Sequence, residues 1–250
     1  MKDLIGKNIL EVIVELSNRK WDYRIDGKTR ETKISEFLFV YYQKEKPRSL
    51  EDLYHPVRIN KNFSLENLSF IEQERERGIG LTSIIGLDSF GKAFLGLSAI
   101  KHGISNTSNF HIPFIDIDLD RSDLEYTQKS IDLIKSLIKE YTQINSGLIL
   151  KSSSKNNLHF IGMGRLLSEE EFITFLGLSL TMGYKKKDAQ GYIGIADSRH
   201  IGHSLTPMKY LTELNGDGWS KYDNVDRFAT LRVNPKTPWE GYSKVVDVLQ

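Results

Sequence analysis

The sequence predicts a mixed α/β (α+β) protein, and three local observations carry that expectation. Residues 114–120 read Phe-Ile-Asp-Ile-Asp-Leu-Asp, alternating apolar and acidic side chains as a strand with one buried face does. Leu124, Ile131, Ile134, Leu137 and Ile138 then recur at helical spacing. Ser168-Glu169-Glu170-Glu171 is a capping box by sequence, since the hydroxyl can accept from the N3 amide while Glu171 reaches back. The chain has 250 residues, 39% hydrophobic and 27% charged, which is the composition of a globular protein able to bury a core.

Taken in order, the first hundred residues carry strand-like runs at 9–16 and 37–43. Polar stretches containing Asp26-Gly27-Lys28 and residues 44–48 separate them, so this part reads as a mixed α/β layer. Gly27-Lys28-Thr29 looks like the end of a phosphate-binding loop, but that loop needs glycine at position 22, which is aspartate. Residues 67–78 are dense in Glu and Arg and read as a solvated helical face. From residue 111 the elements sharpen. A strand is expected at 112–119, then a helix over 123–141 capped by Ser122. Strands at 148–151 and 158–161 flank a polar connection at 152–157. A helix runs from the Ser168 box to Met182, and a strand at 192–196 ends in Asp197. One more strand is expected at 228–233, before Pro235. The order β-α-β-β-α-β with an added strand is that of a ferredoxin-like or RNA-recognition-motif-like sheet with helices on one face. Two units follow: an N-terminal α/β unit over 1–110 and an RNA-recognition-motif-like unit over 111–250.

Bulk properties narrow the function. With 34 Lys+Arg against 33 Asp+Glu, net +1, any polyanion site must be local. The absence of cysteine excludes disulfides, thiolate zinc sites and cysteine nucleophiles, and fits a reducing compartment. The N-terminus lacks a secretory pattern, and no apolar run approaches the roughly 18 to 20 residues needed to span a bilayer. A soluble, cytoplasmic protein without a membrane partner is expected.

The chemistry-bearing residues cluster after residue 111. Alternation sends Asp116, Asp118 and Asp120 to one face, and carboxylates two apart on a strand lie about 6.6 Å apart at their backbones, close enough to converge on Mg²⁺ or Mn²⁺. A simply solvated edge strand gives the same pattern. Ser152, Ser153, Ser154 and Lys155 offer hydroxyls, amides and a cation to phosphate oxygens, and His159 leaves that loop on a strand. A flexible turn and a packed histidine are the plain alternative. Asp197, Arg199, His200 and His203 fall within seven positions, but an H-x-x-H pair without a third acidic ligand at zinc spacing is a poor zinc signal. Arg232 on its alternating strand and Lys236 beyond it suit phosphate contacts, or ordinary surface charge.

Together these segments resemble the three motifs of the archaeo-eukaryotic primase superfamily. The hhhDhD strand ending at Asp118, the serine-rich stretch ending in His159, the hydrophobic strand ending in Asp197, and Leu231-Arg232 with Lys236 occur in that order across roughly residues 110–240. The family's frequent second-motif glycine is replaced by Lys155-Asn156-Asn157, and a cysteine-based zinc motif is missing. The resemblance implies that Asp116, Asp118 and Asp197 hold two divalent ions, with Asp120 in reserve. It also implies that His159 contacts an incoming nucleotide while Ser153 or Ser154, Lys155 and Arg232 lie around its triphosphate, and Arg199 and Lys236 are further nucleotide-binding candidates.

The expected activity is that of a DNA or RNA primase-polymerase, a nucleotidyltransferase acting on nucleoside triphosphates and a nucleic-acid template with Mg²⁺ or Mn²⁺. Lys185-Lys186-Lys187, Arg199 and Arg232 would line part of a basic cleft. A chain of 250 residues leaves no room for a helicase motor, so a separate helicase or other replication protein is expected as partner. Two other classes compete: a primase-like module that binds nucleic acid or nucleotide without making bonds, and a Mg-dependent nuclease. A rolling-circle nickase is excluded because no histidine-hydrophobic-histidine pair occurs.

Overall fold

A computed structural model describes residues 1–33, 37–43, 54–59, 91–96, 98–100, 109–152, 157–185, 191–205, 209–211, 214–215, 218–219, 222–224, 230–232 and 241–250. The protein is mixed α+β, built from small antiparallel sheets. Residues 67–78 lie outside the described residues.

The chain opens with helix α1 (Ile9–Asn18), where strand-like residues were expected at 9–16. The apolar positions 9, 12, 13 and 16 follow helical rather than twofold spacing. Asn8 accepts from the amides of Leu10 and Glu11 while Glu11 reaches back to the Asn8 amide, a capping box that fixes the start. Strands β1 (Lys20–Ile25) and β2 (Lys28–Lys33) form a hairpin. Its Asp26-Gly27 turn has φ +52° and +71°, the left-handed pair that glycine tolerates and that matches strand twist. Strands β3 (Phe37–Gln43), β4 (Tyr54–Ile59) and β5 (Gly91–Gly96) follow, and β3 has the expected bounds. Strands β6 (Ser98–Ile100) and β7 (Asn109–His111) lead into β8 (Phe114–Ile117). That strand is shorter than the expected 112–119, because Asp118 already opens a turn in which its carbonyl accepts from the Ser122 amide at 3.1 Å.

Helix α2 (Gln128–Thr142) starts five residues later than expected. Its cap is Thr127, not Ser122, whose buried hydroxyl instead donates to the Asp118 and Gly194 carbonyls at 2.6 and 3.0 Å. Asp123, at φ +52°, cannot continue a right-handed helix. Strands β9 (Gly147–Lys151) and β10 (Leu158–Gly162) form the expected pair. After β11 (Leu167–Ser168) the Ser168–Glu171 box caps helix α3 (Glu169–Thr181) reciprocally, as its residues require. Strands β12 (Gly183–Lys185) and β13 (Tyr192–Gly194) then form a hairpin, and helix α4 (Ser198–Leu205) follows Asp197. Beyond lie β14 (Lys209–Leu211), β15 (Leu214–Asn215), β16 (Gly218–Trp219), β17 (Tyr222–Asn224), β18 (Thr230–Arg232) and β19 (Lys244–Leu249).

The sheet that carries Asp116 and His159 has the order β19-β9-β10-β8, every neighbour antiparallel. The strand added to it is β19, whereas β18, the strand expected at 228–233, pairs with β5 in the separate sheet β18-β5-β3-β4. Beside β8, an antiparallel bridge joins Ile117 to Ala196, so the expected strand at 192–196 is β13 followed by one bridging residue. The expected division at residues 110/111 is crossed repeatedly. Asp22 exchanges backbone bonds with Gly164 and Leu166, and Gly6, Lys7 and Ile9 bond Ser243 and Val245. Leu4, Ile13, Leu16 and Trp21 share one hydrophobic cluster with Phe114, Phe160, Phe172 and Leu249.

Candidate functional site

Register builds the site. The Ile117–Ala196 bridge sets Asp197 opposite Asp116, with the Asp197 amide donating to the Asp116 carbonyl at 2.8 Å and the Asp118 amide to Ile195 at 3.2 Å. On the other side of β8, Asp116 is the cross-strand partner of His159. Cross-strand partners share a face, with Cβ atoms about 5 Å apart, so Asp197, Asp116 and His159 form one row over three adjacent segments. Asp116 is partly exposed, whereas Asp118, Asp197 and His159 are buried. His159 Nε2 lies 3.5 Å from Asp116 Oδ1, and its ring packs 5.8 Å from Phe114.

Two guanidiniums close over the acids. Arg121 Nε lies 3.2 Å from Asp118 Oδ2 and its Nη1 3.7 Å from Asp197 Oδ1. The Arg121 amide also donates to Asp118 Oδ1 at 3.1 Å. Arg199 donates from Nη2 to Asp197 Oδ2 at 3.1 Å, while its amide reaches Oδ1 at 2.9 Å. Burial of the Asp197 carboxyl opposes its ionisation, but the Arg199 hydrogen bonds and the charges of Arg199 and Arg121 outweigh it and hold the group below the usual carboxylate range. Arg199 is held above the ordinary guanidinium value, first by its bond to and charge from Asp197, with Asp118 and Asp116 adding to the pull. All three acids therefore act on one cation.

The structure thus brings together Asp116, Asp118, Asp197, His159 and Arg199. Asp120 is exposed on the turn, its carbonyl accepting from the Asp123 amide at 3.4 Å. His200 packs against Phe114 at 4.9 Å, with Ser204 Oγ 3.4 Å from its Nε2. The backbone of Arg232 is in β18, which pairs elsewhere but comes within 8 Å of β8 at its Cα atoms. Ser153, Ser154, Lys155, Lys236, Lys186 and Lys187 lie outside the described residues, as does the side chain of His203. Arg121 and Tyr184 carry no functional signal in the sequence, and Ser122, expected as a helix cap, holds the Asp118 turn instead. Tyr184 donates its hydroxyl to the Ser122 carbonyl at 2.6 Å and ties the Asp118 turn to the β12–β13 hairpin. A tyrosine on a short strand carries no local signal for such a contact.

Among the described residues no three His, Cys, Asp or Glu side chains are arranged to hold an ion as they stand. The donor chemistry fits one nonetheless. Aspartate oxygens are the hard donors Mg²⁺ and Mn²⁺ take, and Arg121 is the positive charge that Asp118 and Asp197 share in this structure. No family model, curated protein or solved structure matches the chain. Among the described residues no helix is long and apolar enough to cross a membrane.

Proposed function

We propose that this protein is a nucleotidyltransferase of the primase-polymerase type, adding nucleotides to a nucleic-acid 3′ end or starting a strand, with Mg²⁺ or Mn²⁺ held by Asp116, Asp118 and Asp197. The observation that carries the reading is the convergence of these acids with His159 from three separated stretches of chain onto one row and one turn. Strand order supports it. Ala196 bridges to β8, β8 pairs with β10 and β10 with β9, all antiparallel, as an RNA-recognition-motif-like sheet requires of its fourth, first, third and second strands.

When bound, the divalent ion supplies neutralisation of phosphate charge and a lowered pKa for an attacking hydroxyl. The chain's own part is positional. The turn bond from the Arg121 amide orients Asp118, the Arg199 amide orients Asp197, and the Asp116 carboxylate orients the His159 ring. His159 Nε2, on the edge of the ring that faces Asp116, is the nitrogen that would meet a phosphate oxygen or sugar hydroxyl, since Nδ1 is buried. Arg199, with its side chain 65% exposed, is placed at the rim for phosphate oxygens. A nucleic-acid template, nucleoside triphosphates and a separate strand-separating protein are the partners this chemistry calls for.

One observation favours a second reading, a nucleic-acid or nucleotide-binding module that makes no bonds. Arg121 and Arg199 already offset two of the three carboxylate charges, so the acids can coexist without an ion. Extension of a labelled primer on a template, beside an unprimed template, separates these readings when run with Mg²⁺ or Mn²⁺ and each nucleotide pool. Wild type should yield longer products, and Asp116→Asn/Asp118→Asn should lose at least about a hundredfold, the scale of removing transition-state charge stabilisation. Products on the unprimed template would establish priming. Template binding without extension would leave the binding module standing, and shortened primers would make the protein a nuclease.

A further inference from the structure

We propose that Arg121 is a built-in counter-cation that a divalent ion must displace, so that the site exchanges a guanidinium for a metal when it loads. The inference rests on the metal reading of Asp116, Asp118 and Asp197 and adds a residue to it.

Both cations need the same oxygens. The guanidinium takes Asp118 Oδ2 at 3.2 Å and faces Asp197 Oδ1 at 3.7 Å, so an ion joining these carboxylates meets Arg121 on both. Repulsion reinforces the exchange, because a dication and a guanidinium a few ångströms apart in a partly buried site are weakly screened. Three carboxylates against two guanidiniums leave a net charge of −1, and an ion added without displacement would make the site positive before any phosphate arrived.

Of the two arginines, Arg121 is built to leave. Arg199 holds a single carboxylate through its backbone amide and its guanidinium, at the start of α4. Arg121 divides its guanidinium between two carboxylates, at 3.2 and 3.7 Å, and has no backbone amide on Asp197 to hold it there. Its departure does not dismantle the site. Asp118 Oδ1 keeps the Arg121 backbone amide, and the turn keeps the Ser122 hydroxyl and the Tyr184 bond. A freed Arg121 stands at the mouth of the site, a planar donor suited to the phosphate oxygens that arrive with the ion.

Mn²⁺ binding to the full chain, read as loss of the free-ion electron paramagnetic resonance signal in the absence of nucleotide and template, tests this without activity. Arg121→Ala should bind Mn²⁺ up to roughly fivefold more tightly than wild type, the factor set by losing one half-exposed ion-pair competitor, and Arg121→Lys should fall between them. Thermal unfolding should show the alanine variant less stable than wild type without metal and the deficit removed by Mn²⁺. Equal or weaker Mn²⁺ binding by Arg121→Ala would make Arg121 a plain structural contact and overturn the proposal while the metal reading stands. Saturable binding by neither protein would overturn the metal reading and the exchange together.

Discussion

His111 sits at the end of β7, fully buried and stacked on Phe172 with ring centroids 4.3 Å apart. Burial penalises the charged imidazolium and lowers its pKa from 6.5 to about 3. Between those values the unfolded chain binds a proton that the folded chain refuses, so stability must fall as pH falls from 6.5 toward 3. The slope from this group reaches about 1.4 kcal/mol per pH unit. Denaturant unfolding from pH 7 to pH 4 should show that decline in wild type and a shallower one in His111→Phe; equal slopes would mean that His111 is not the group responsible. At this scale the sequence showed the acids well. Asp116 and Asp118 are legible because strand alternation is a two-residue rule, and Asp197 because it ends an apolar run. Arg121 was not legible, since a charged residue in a turn acquires its meaning only when the turn folds back to within reach of a carboxylate 76 positions later.

Elements were legible where their ends were written in side chains. The box at Ser168 and Glu171 forms as read, and Ser168→Ala should cost about 1 kcal/mol of stability by thermal or denaturant unfolding. Thr127→Ala should cost about as much, because Thr127 accepts from the Ser130 amide at the true start of α2. Both substitutions should reduce stability without moving the site row; an unchanged midpoint for Thr127→Ala would mean that α2 is not capped there. The helix start was misplaced because Ser122 looks like a cap in sequence, yet its hydroxyl is committed to carbonyls at 118 and 194. The long-range bond to Gly194 is invisible to any window along the chain. The opposite error occurred at residues 9–16. A β-branched run suggested a strand, while the Asn8–Glu11 box and the buried stripe of Ile9, Val12, Ile13 and Leu16 made it a helix.

At the scale of the molecule, the expectation of units at 1–110 and 111–250 meets a core that draws on both. Leu4, Ile9, Ile13, Leu16, Trp21 and Tyr23 are fully or almost fully buried in the cluster that also holds Phe114, Phe160 and Leu249. Trp21 donates its indole N–H to the Leu16 carbonyl at 2.9 Å, and Tyr23 packs edge-on against Phe110 at 4.9 Å. Composition alone does not reveal such interleaving, because segments far apart in sequence share a core without any local sign of it. Its energetic scale decides the consequence. Six apolar side chains at roughly 1.5–3 kcal/mol each amount to about 10 kcal/mol or more, comparable to the whole stability of a domain. Removing residues 1–110 would also unpair the backbone groups of Gly164, Ser243 and Val245 that Asp22, Gly6 and Ile9 now satisfy. A chain spanning 111–250 should therefore lack a cooperative unfolding transition and dispersed amide resonances, even though it retains Asp116, Asp118, His159 and Asp197. Adding residues 1–25 in trans as a peptide should restore part of that dispersion. If 111–250 instead unfolds cooperatively on its own, the acidic row is carried by a self-sufficient unit, and α1 with the β1–β2 hairpin is an accessory to it.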